Sequence, residues 1–262
     1  IIIDHATGSV LYSKDADRPL PPASMSKLMT LYMLFEAIRD GRVTKETEFS
    51  ISARAQAIGG SRMFLEAGKT VPVDALIHGI IVQSGNDACI VVAENLAGTE
   101  DAFAAQMTRR AAEIGLTNTV LKNASGWPEP GHVMSTADIA QLSRRIITEF
   151  PEFYAYFSET EFTWNDITQQ NRNPLLRTNL GVDGLKTGHT NEAGYGLAAS
   201  AVQDGQRIVF VASGFESDGA RRSGTEAMVQ WAFGAFDKVK FFEAGATATE
   251  VDVWLGDAPT VP

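Results

Sequence analysis

The spacing of apolar residues is strand-like at the start of the chain, helical through its middle and strand-like again in its last third. Residues 1–3 and 10–12 read as two strands joined by a turn over Ala6-Thr7-Gly8-Ser9. An irregular approach, Arg18-Pro19-Leu20-Pro21-Pro22, leads to a helix that starts near Ala23 or Ser24, runs to about Arg39 and stops at Gly41. Its apolar residues (Met25, Leu28, Met29, Leu31, Met33, Leu34, Phe35, Ile38) go almost all round, which predicts a buried central helix. Helices are predicted over 74–83, 87–96 and 99–114, the last with Glu100 and Asp101 in its first turn and Gly115 at its end. Ser135-Thr136-Ala137-Asp138 resembles a capping box with Asp in place of Glu, and the helix it opens stops before Pro151. Strands return at 161–164 and 184–187, followed by a hairpin of 195–202 and 207–212 across Asp204-Gly205. A helix over 221–236 presents Ala227, Met228 and Trp231 on one face.

Strands, then helices, then strands and a helix predict an α/β chain of α+β type: an antiparallel sheet flanked by helices, with an inserted all-helical subdomain at roughly 50–150. Residues 1–240 form the main domain in this reading. Residues 241–262 read as a linker and the start of a β-rich domain that the chain does not complete. A strand expected at 250–255 has nothing after it with which to pair.

Composition narrows the field of functions. The 262 residues are 44% hydrophobic and 21% charged, as in an ordinary globular protein. A formal net charge of −10 argues against a nucleic-acid partner. The single cysteine, Cys89, excludes an internal disulfide and a thiolate metal cluster. His5, His78, His132 and His189 are scattered with no H-x-x-x-H pair, so no metal and no cofactor is expected; His132 reads as structural on a loop near the cleft. The longest strongly apolar stretch, 28–38, contains Glu36 and is too short to span a bilayer. The chain opens on Ile1-Ile2-Ile3-Asp4 without a basic leader, and any signal peptide is expected to have been removed.

Three short motifs carry the candidate chemistry. Ser24-Met25-Ser26-Lys27 puts a hydroxyl and an amine three residues apart, hence on one helical face, where a lysine of lowered pKa can take the serine proton. Partial burial and the Lys186 cation would both lower that pKa. Ser84-Gly85-Asn86 precedes a helix and offers a hydroxyl and an amide on one tight loop. Lys186-Thr187-Gly188 closes a strand; the cation adds positive potential, Thr187 a hydroxyl, and Gly188 lets a substrate backbone lie beside the strand edge. Each alone is an ordinary cap, loop or strand end. Gly68-Lys69-Thr70 shows how cheap such tripeptides are: it mimics the end of a P-loop, but the required earlier Gly is Met63.

Together, S-x-x-K, S-x-N and K-T-G in this order resemble the signature of penicillin-binding proteins and serine β-lactamases. Pro22-Ala23-Ser24-Met25-Ser26-Lys27-Leu28-Met29-Thr30 and Val182-Asp183-Gly184-Leu185-Lys186-Thr187-Gly188-His189-Thr190 resemble the D-alanyl-D-alanine carboxypeptidases of low molecular mass, over roughly residues 1–236. The resemblance implies the β-lactamase/transpeptidase-like fold and removal of the terminal D-alanine from peptidoglycan stem peptides. It also implies covalent inhibition by β-lactams and work in the periplasm or on the outer face of the cytoplasmic membrane. A membrane anchor of the family would lie C-terminal to this chain.

The resemblance further implies that Ser24 is the nucleophile and Lys27 its base. Ser84 and Lys186 pass a proton to the leaving amine, and Asn86 holds the substrate amide. The N–H groups of Ser24 and His189 form the oxyanion hole. Thr187 and Arg172 bind the terminal carboxylate, with Gly85, Gly188 and His189 lining the substrate. Gly85 stands where the β-lactamases usually carry Asp and is the common form in these carboxypeptidases. A DD-endopeptidase shares the catalytic groups, and a non-catalytic peptidoglycan-binding protein conflicts with the intact nucleophile and base. A β-lactamase of the common type needs a deacylating glutamate in E-x-x-L-N. Glu161-Phe162-Thr163-Trp164-Asn165 is a near match placed too late in the chain, and Glu129 lies between two prolines without the motif.

Overall fold

With almost no polar stripe on its surface, the segment after the first motif can only be a core helix, and the computed structural model places it there. The structure describes residues 1–236 and, beyond them, 239, 245–247, 249–252, 254 and 260–261. In chain order the helices are α1 (Lys27–Arg39), α2 (Ala53–Ala57), α3 (Val73–Ile81), α4 (Asn86–Ala97), α5 (Glu100–Glu113), α6 (Thr136–Glu149), α7 (Pro151–Tyr154) and α8 (Asp218–Gly234). The strands are β1 (Ile2–Asp4), β2 (Val10–Tyr12), β3 (Glu48–Ser50), β4 (Thr70–Pro72), β5 (Glu161–Trp164), β6 (Ile167–Gln170), β7 (Val182–Thr190), β8 (Gly194–Gln203), β9 (Gln206–Phe215), β10 (Val251–Asp252) and β11 (Thr260–Val261).

Five strands form one antiparallel sheet in the order β2-β1-β9-β8-β7, so β7 is an edge. The β8–β9 hairpin turns at Asp204 and Gly205, both at positive φ (49° and 76°), the geometry a two-residue hairpin favours. Alternate residues of the two central strands enter two different cores. Leu197, Ala199, Ala201, Ile208 and Phe210 pack with Val229 and Ala232 of α8. Ala198, Val209 and Val211 pack with α1, α3, α4 and α6 on the other side. A sheet covered on both faces explains why β8 and β9 are apolar without alternation.

Several expectations are corrected. The buried face of α8 is Arg221, Thr225, Val229 and Ala232, while Trp231 is 44% exposed and Ala227 is exposed. Ser135 caps α6 by accepting from Asp138 N at 3.1 Å, but no capping box closes. The Asp138 carboxylate instead accepts from Asn118 N and Thr119 Oγ1, tying the preceding loop to the helix. Strand β5 finds a partner in β6 across Asn165-Asp166, and β3 pairs with β4, neither of which the apolar pattern shows. In the tail, 251–252 does have a partner, because β10 pairs antiparallel with β11; Leu255 lies outside the described residues.

Helix α1 is the hub. Leu28, Leu31, Leu34 and Phe35 are fully buried, and Glu36 accepts two hydrogen bonds from Arg110 of α5, at 3.1 Å to Nε and 2.7 Å to Nη2. Phe35 stacks on Phe153 with ring centroids 4.5 Å apart and lies 5.6 Å from Phe150, where Pro151 breaks α6 from α7. Phe35→Ala removes that stack and leaves a cavity beneath α1. Its expected cost is about 3–5 kcal/mol, read as a lowered urea midpoint at unchanged slope. A loss under 1 kcal/mol would show that the aromatic cluster does not hold the hub.

Candidate active site

The first motif folds as a tight 3-10 turn, Ala23–Ser26, running into α1, with Ala23 held at φ 51°. A non-glycine residue in the left-handed region is strained, by roughly 1–3 kcal/mol. Here the turn is fixed by Ser26 Oγ donating to Ala23 O at 3.0 Å. It presents Ser24 Oγ at 2.8 Å from Lys27 Nζ. The amine also donates to Asn86 Oδ1 at 2.8 Å and to Ser125 O. An amide oxygen and a carbonyl oxygen can only accept, so they take two N–H bonds of a neutral amine and leave its lone pair for the Ser24 hydroxyl. Lys27 is fully buried, and burial, aided by the Arg172 charge, lowers its pKa to about 8. Full burial dominates, and the mutual repulsion of Lys27 and Lys186 disfavours charge on both amines.

The second motif lies between α3 and α4. Ser84 is buried at φ 63°, and its Oγ has no hydrogen-bond partner among the described residues. Asn86 is oriented by its Nδ2 donating to Gly59 O at 2.9 Å, which turns Oδ1 toward Lys27. Gly85 stands apart from the residues lining the cleft on either side of Ser24. A Cβ there would lie 3.0 Å from Asp87 Oδ1 and 3.2 Å from Met63 Cγ. Its bareness makes room for the buried Asp87 carboxylate, which accepts from Met63 N and Leu65 N.

The third motif lies on edge strand β7. Lys186 is 2% exposed and, among the described residues, donates to Thr187 O at 3.3 Å; burial, with Lys27 and Arg172 adding repulsion, holds its pKa well below the ordinary lysine value. Ser84 lines the cleft, and its hydroxyl and the Lys186 amine are not hydrogen-bonded to each other. Gly188 lines a cleft beside Ser24 and also has a packing role. Its missing side chain faces the nucleophile turn, where a Cβ would lie 2.9 Å from Pro22 O and 3.1 Å from both Ala23 Cβ and Met25 Cγ. Gly196, its partner across β8, would meet Met25 Cε at 2.7 Å. The two glycines form a trough for Met25. His189 stacks on Tyr195 at 3.9 Å.

Loop 123–127 closes the site from the helical side. Asn123 Oδ1 accepts from the N–H groups of Ser125, Gly126 and Trp127. Gly126, at φ 75°, lets the loop touch the nucleophile turn: a Cβ there would lie 2.0 Å from Ala23 O. His132 Nδ1 accepts from Lys122 N at 3.1 Å, a structural bond, and burial with the Lys27 charge lowers its pKa to about 4.

Two clefts meet at Ser24, Ser61 and His189. One, of about 490 Å³, is lined by Ser84, Thr187, Gly188, Arg172, Tyr195, Asp218 and Arg221. Arg172 is exposed and forms no hydrogen bond or ion pair among the described residues. Arg221 was not foreseen from the sequence. It is 5% exposed, paired with Asp218 one turn earlier on α8, and its guanidinium lies 5.7 Å from the Tyr195 ring centroid. No signal in the sequence marked it, because the face of α8 that packs on the sheet is set by docking. The other cleft, of about 480 Å³, runs past Gly60, Asn86, Ser125 and Trp127 to Glu192. Glu161 lies on exposed strand β5, bonded to Gln170, and lines neither cleft.

Comparison with known proteins agrees with this geometry. The D-alanyl-D-alanine carboxypeptidase family of S11 peptidases matches residues 1–216. The D-alanyl-D-alanine carboxypeptidase DacC of Escherichia coli is 40% identical over 100% of this chain and 67% of its own length, and DacF of Bacillus subtilis is 35% identical over 98% and 67%. The chain thus spans about two thirds of the length of these curated relatives. Penicillin binding protein 5 from Haemophilus influenzae superposes with a TM-score of 0.92 at 35% identity, covering 99% of this chain and 77% of that one. Penicillin-Binding Protein D2 from Listeria monocytogenes, solved with ampicillin bound, gives 0.80 at 27% identity over 88% and 95%. By the extent of the family match and the identity of these relatives, the chain belongs to the D-alanyl-D-alanine carboxypeptidase family.

Proposed function

We propose that the protein is a serine-type D-Ala-D-Ala carboxypeptidase that removes the terminal D-alanine from peptidoglycan stem peptides. The observation that carries this reading is the fully buried Lys27 amine 2.8 Å from Ser24 Oγ. Ser24 Oγ attacks the carbonyl carbon of the penultimate D-alanine while its proton passes to Lys27 Nζ. The oxyanion takes hydrogen bonds from the backbone N–H groups of Ser24 and His189. The C–N bond then breaks, and the leaving amine receives a proton through Ser84, whose hydroxyl is uncommitted, and Lys186. Thr187, Arg172 and Arg221 hold the terminal carboxylate, since guanidinium groups engage both of its oxygens. Asn86 keeps Lys27 in register and lines the substrate cleft. Water finally cleaves the Ser24 ester.

Peptidoglycan is built outside the cytoplasmic membrane, and the enzyme works there. Among the described residues no helix is long and apolar enough to cross a membrane. The β10–β11 pair supports reading residues 241–262 as the start of a separate β-rich unit after the catalytic domain.

Penicillin forms the same Ser24 ester, but its ring-opened leaving group stays tethered and blocks the approach of water. Ser24 Oγ has Lys27 as its hydrogen-bond partner among the described residues, and no carboxylate is hydrogen-bonded to either.

The nucleophile is tested first. Ser24→Ala is expected to lower D-alanine release at least about a thousandfold, and mass spectrometry after penicillin treatment places the adduct on Ser24; an adduct on Ser26 or Ser84 overturns the assignment. Because the Lys27 amine is the active form and its pKa is about 8, the acylation rate climbs with pH and levels off above that value. Lys27→Arg, which stays protonated, loses about a hundredfold or more; a variant acylated at a near-normal rate removes Lys27 from the role of base. Deacylation measured on one preparation separates carboxypeptidase from β-lactamase. The penicilloyl ester is expected to outlast the peptide ester about a thousandfold, a barrier difference of about 4 kcal/mol, and equal rates would move the protein to the β-lactamases.

A further inference from the structure

The two clefts that meet at Ser24 differ in charge. The Arg172 side carries two guanidinium groups against one carboxylate, Asp218. The Trp127 side carries no lysine or arginine in its lining, and its one ionised side chain is Glu192. Glu192 sits on the turn joining β7 to β8. It is exposed and forms no hydrogen bond or ion pair among the described residues. Opposite it stands Trp127, 46% exposed. Its indole is pressed against bare backbone: a Cβ on Gly60 would lie 3.0 Å from Trp127 Cζ3, and one on Gly59 would lie 3.4 Å from Cη2. The ring is thus an exposed aromatic wall that is already fixed in place.

The direction of a bound peptide follows from β7. The terminal carboxylate lies at Thr187 and Arg172 and the scissile carbonyl at Ser24. The residue that precedes D-Ala-D-Ala must then leave past His189 toward Thr190, Glu192 and Trp127. We propose that Glu192 and Trp127 form a subsite for a primary ammonium group on the side chain of that preceding residue. The inference rests on the carboxypeptidase reading. The carboxylate attracts the ammonium across the cleft, and the ring face adds a cation–π contact. An exposed pair of this kind is worth up to about fivefold in kcat/KM and is screened by salt.

The test compares two capped peptides, acetyl-Lys-D-Ala-D-Ala and acetyl-(Nε-acetyl-Lys)-D-Ala-D-Ala, on the same preparation. The ratio of their kcat/KM values cancels any difference in the amount of folded enzyme. The wild type is expected to prefer the free amine about three- to fivefold at low ionic strength, with the preference fading at about 0.5 M salt. Glu192→Gln brings the ratio to near one, and Glu192→Lys inverts it. Equal use of both peptides by the wild type overturns the subsite and leaves the carboxypeptidase standing. So does a preference that survives in Glu192→Lys, or a Glu192→Gln loss that falls equally on both peptides. Release of D-alanine from neither peptide overturns the reading on which the subsite rests, and the subsite with it.

Discussion

One buried amine organises this structure. Lys27 Nζ is satisfied by Ser24 from its own turn, Asn86 from the start of α4 and the Ser125 carbonyl from loop 123–127. These three segments are distant in sequence, and each is held in place by something else: Asn86 by Gly59, the loop by Asn123, the turn by Ser26. A fully desolvated ammonium is costly, and Arg172 and Lys186 add positive charge nearby. The surroundings therefore make the neutral amine easier to reach than it is in water, and neutral is the state a general base needs. Folding and catalysis therefore ask the same thing of this position.

The sheet contributes an edge and the helices contribute a wall. Strand β7 pairs with β8 along one edge, and the nucleophile turn rests on the face of both strands. The other edge of β7 pairs with no strand among the described residues, and in the proposed reading the substrate backbone lies along it. Groups from the nucleophile turn, the α3–α4 connection and loop 123–127 converge on Lys27 beside that strand. In the proposed reading such a site takes the backbone and terminus of a peptide first and its side chains second.

Much of this was legible in the sequence because the signals were local. The Ser135 cap, the all-round apolar α1 and the Asp204-Gly205 turn each fix structure within a few residues. The three motifs were legible as a set because each keeps a hydroxyl next to an amine or amide. What escaped depends on tertiary partners. Strands β3, β4 and β6 are three or four residues long and mixed in polarity, so their pairing is decided by what lies beside them. Arg221 looks like a surface residue until α8 is docked on the sheet, and the same docking moves the buried face away from Trp231. The β10–β11 pair depends on contact across a segment whose apolar pattern announces only its first strand. The packing roles of Gly85 and Gly188, whose missing side chains make space for Asp87 and for the nucleophile turn, also depend on tertiary neighbours.

The trough of Gly188 and Gly196 sets a length scale. The nucleophile rides on a turn that rests directly on these two glycines, and His189, the second oxyanion donor in the proposed mechanism, immediately follows Gly188. The gap between attacking oxygen and stabilising N–H is thus gauged by backbone-to-backbone contact, the stiffest spacer a protein has. Side chains can swing by ångströms at little cost, but this spacer has no rotamers to sample. Even one added methyl would act as a shim, lifting the serine off the sheet. These two positions therefore govern reach more than chemistry, and a chain could keep its serine and both lysines while losing the alignment between them.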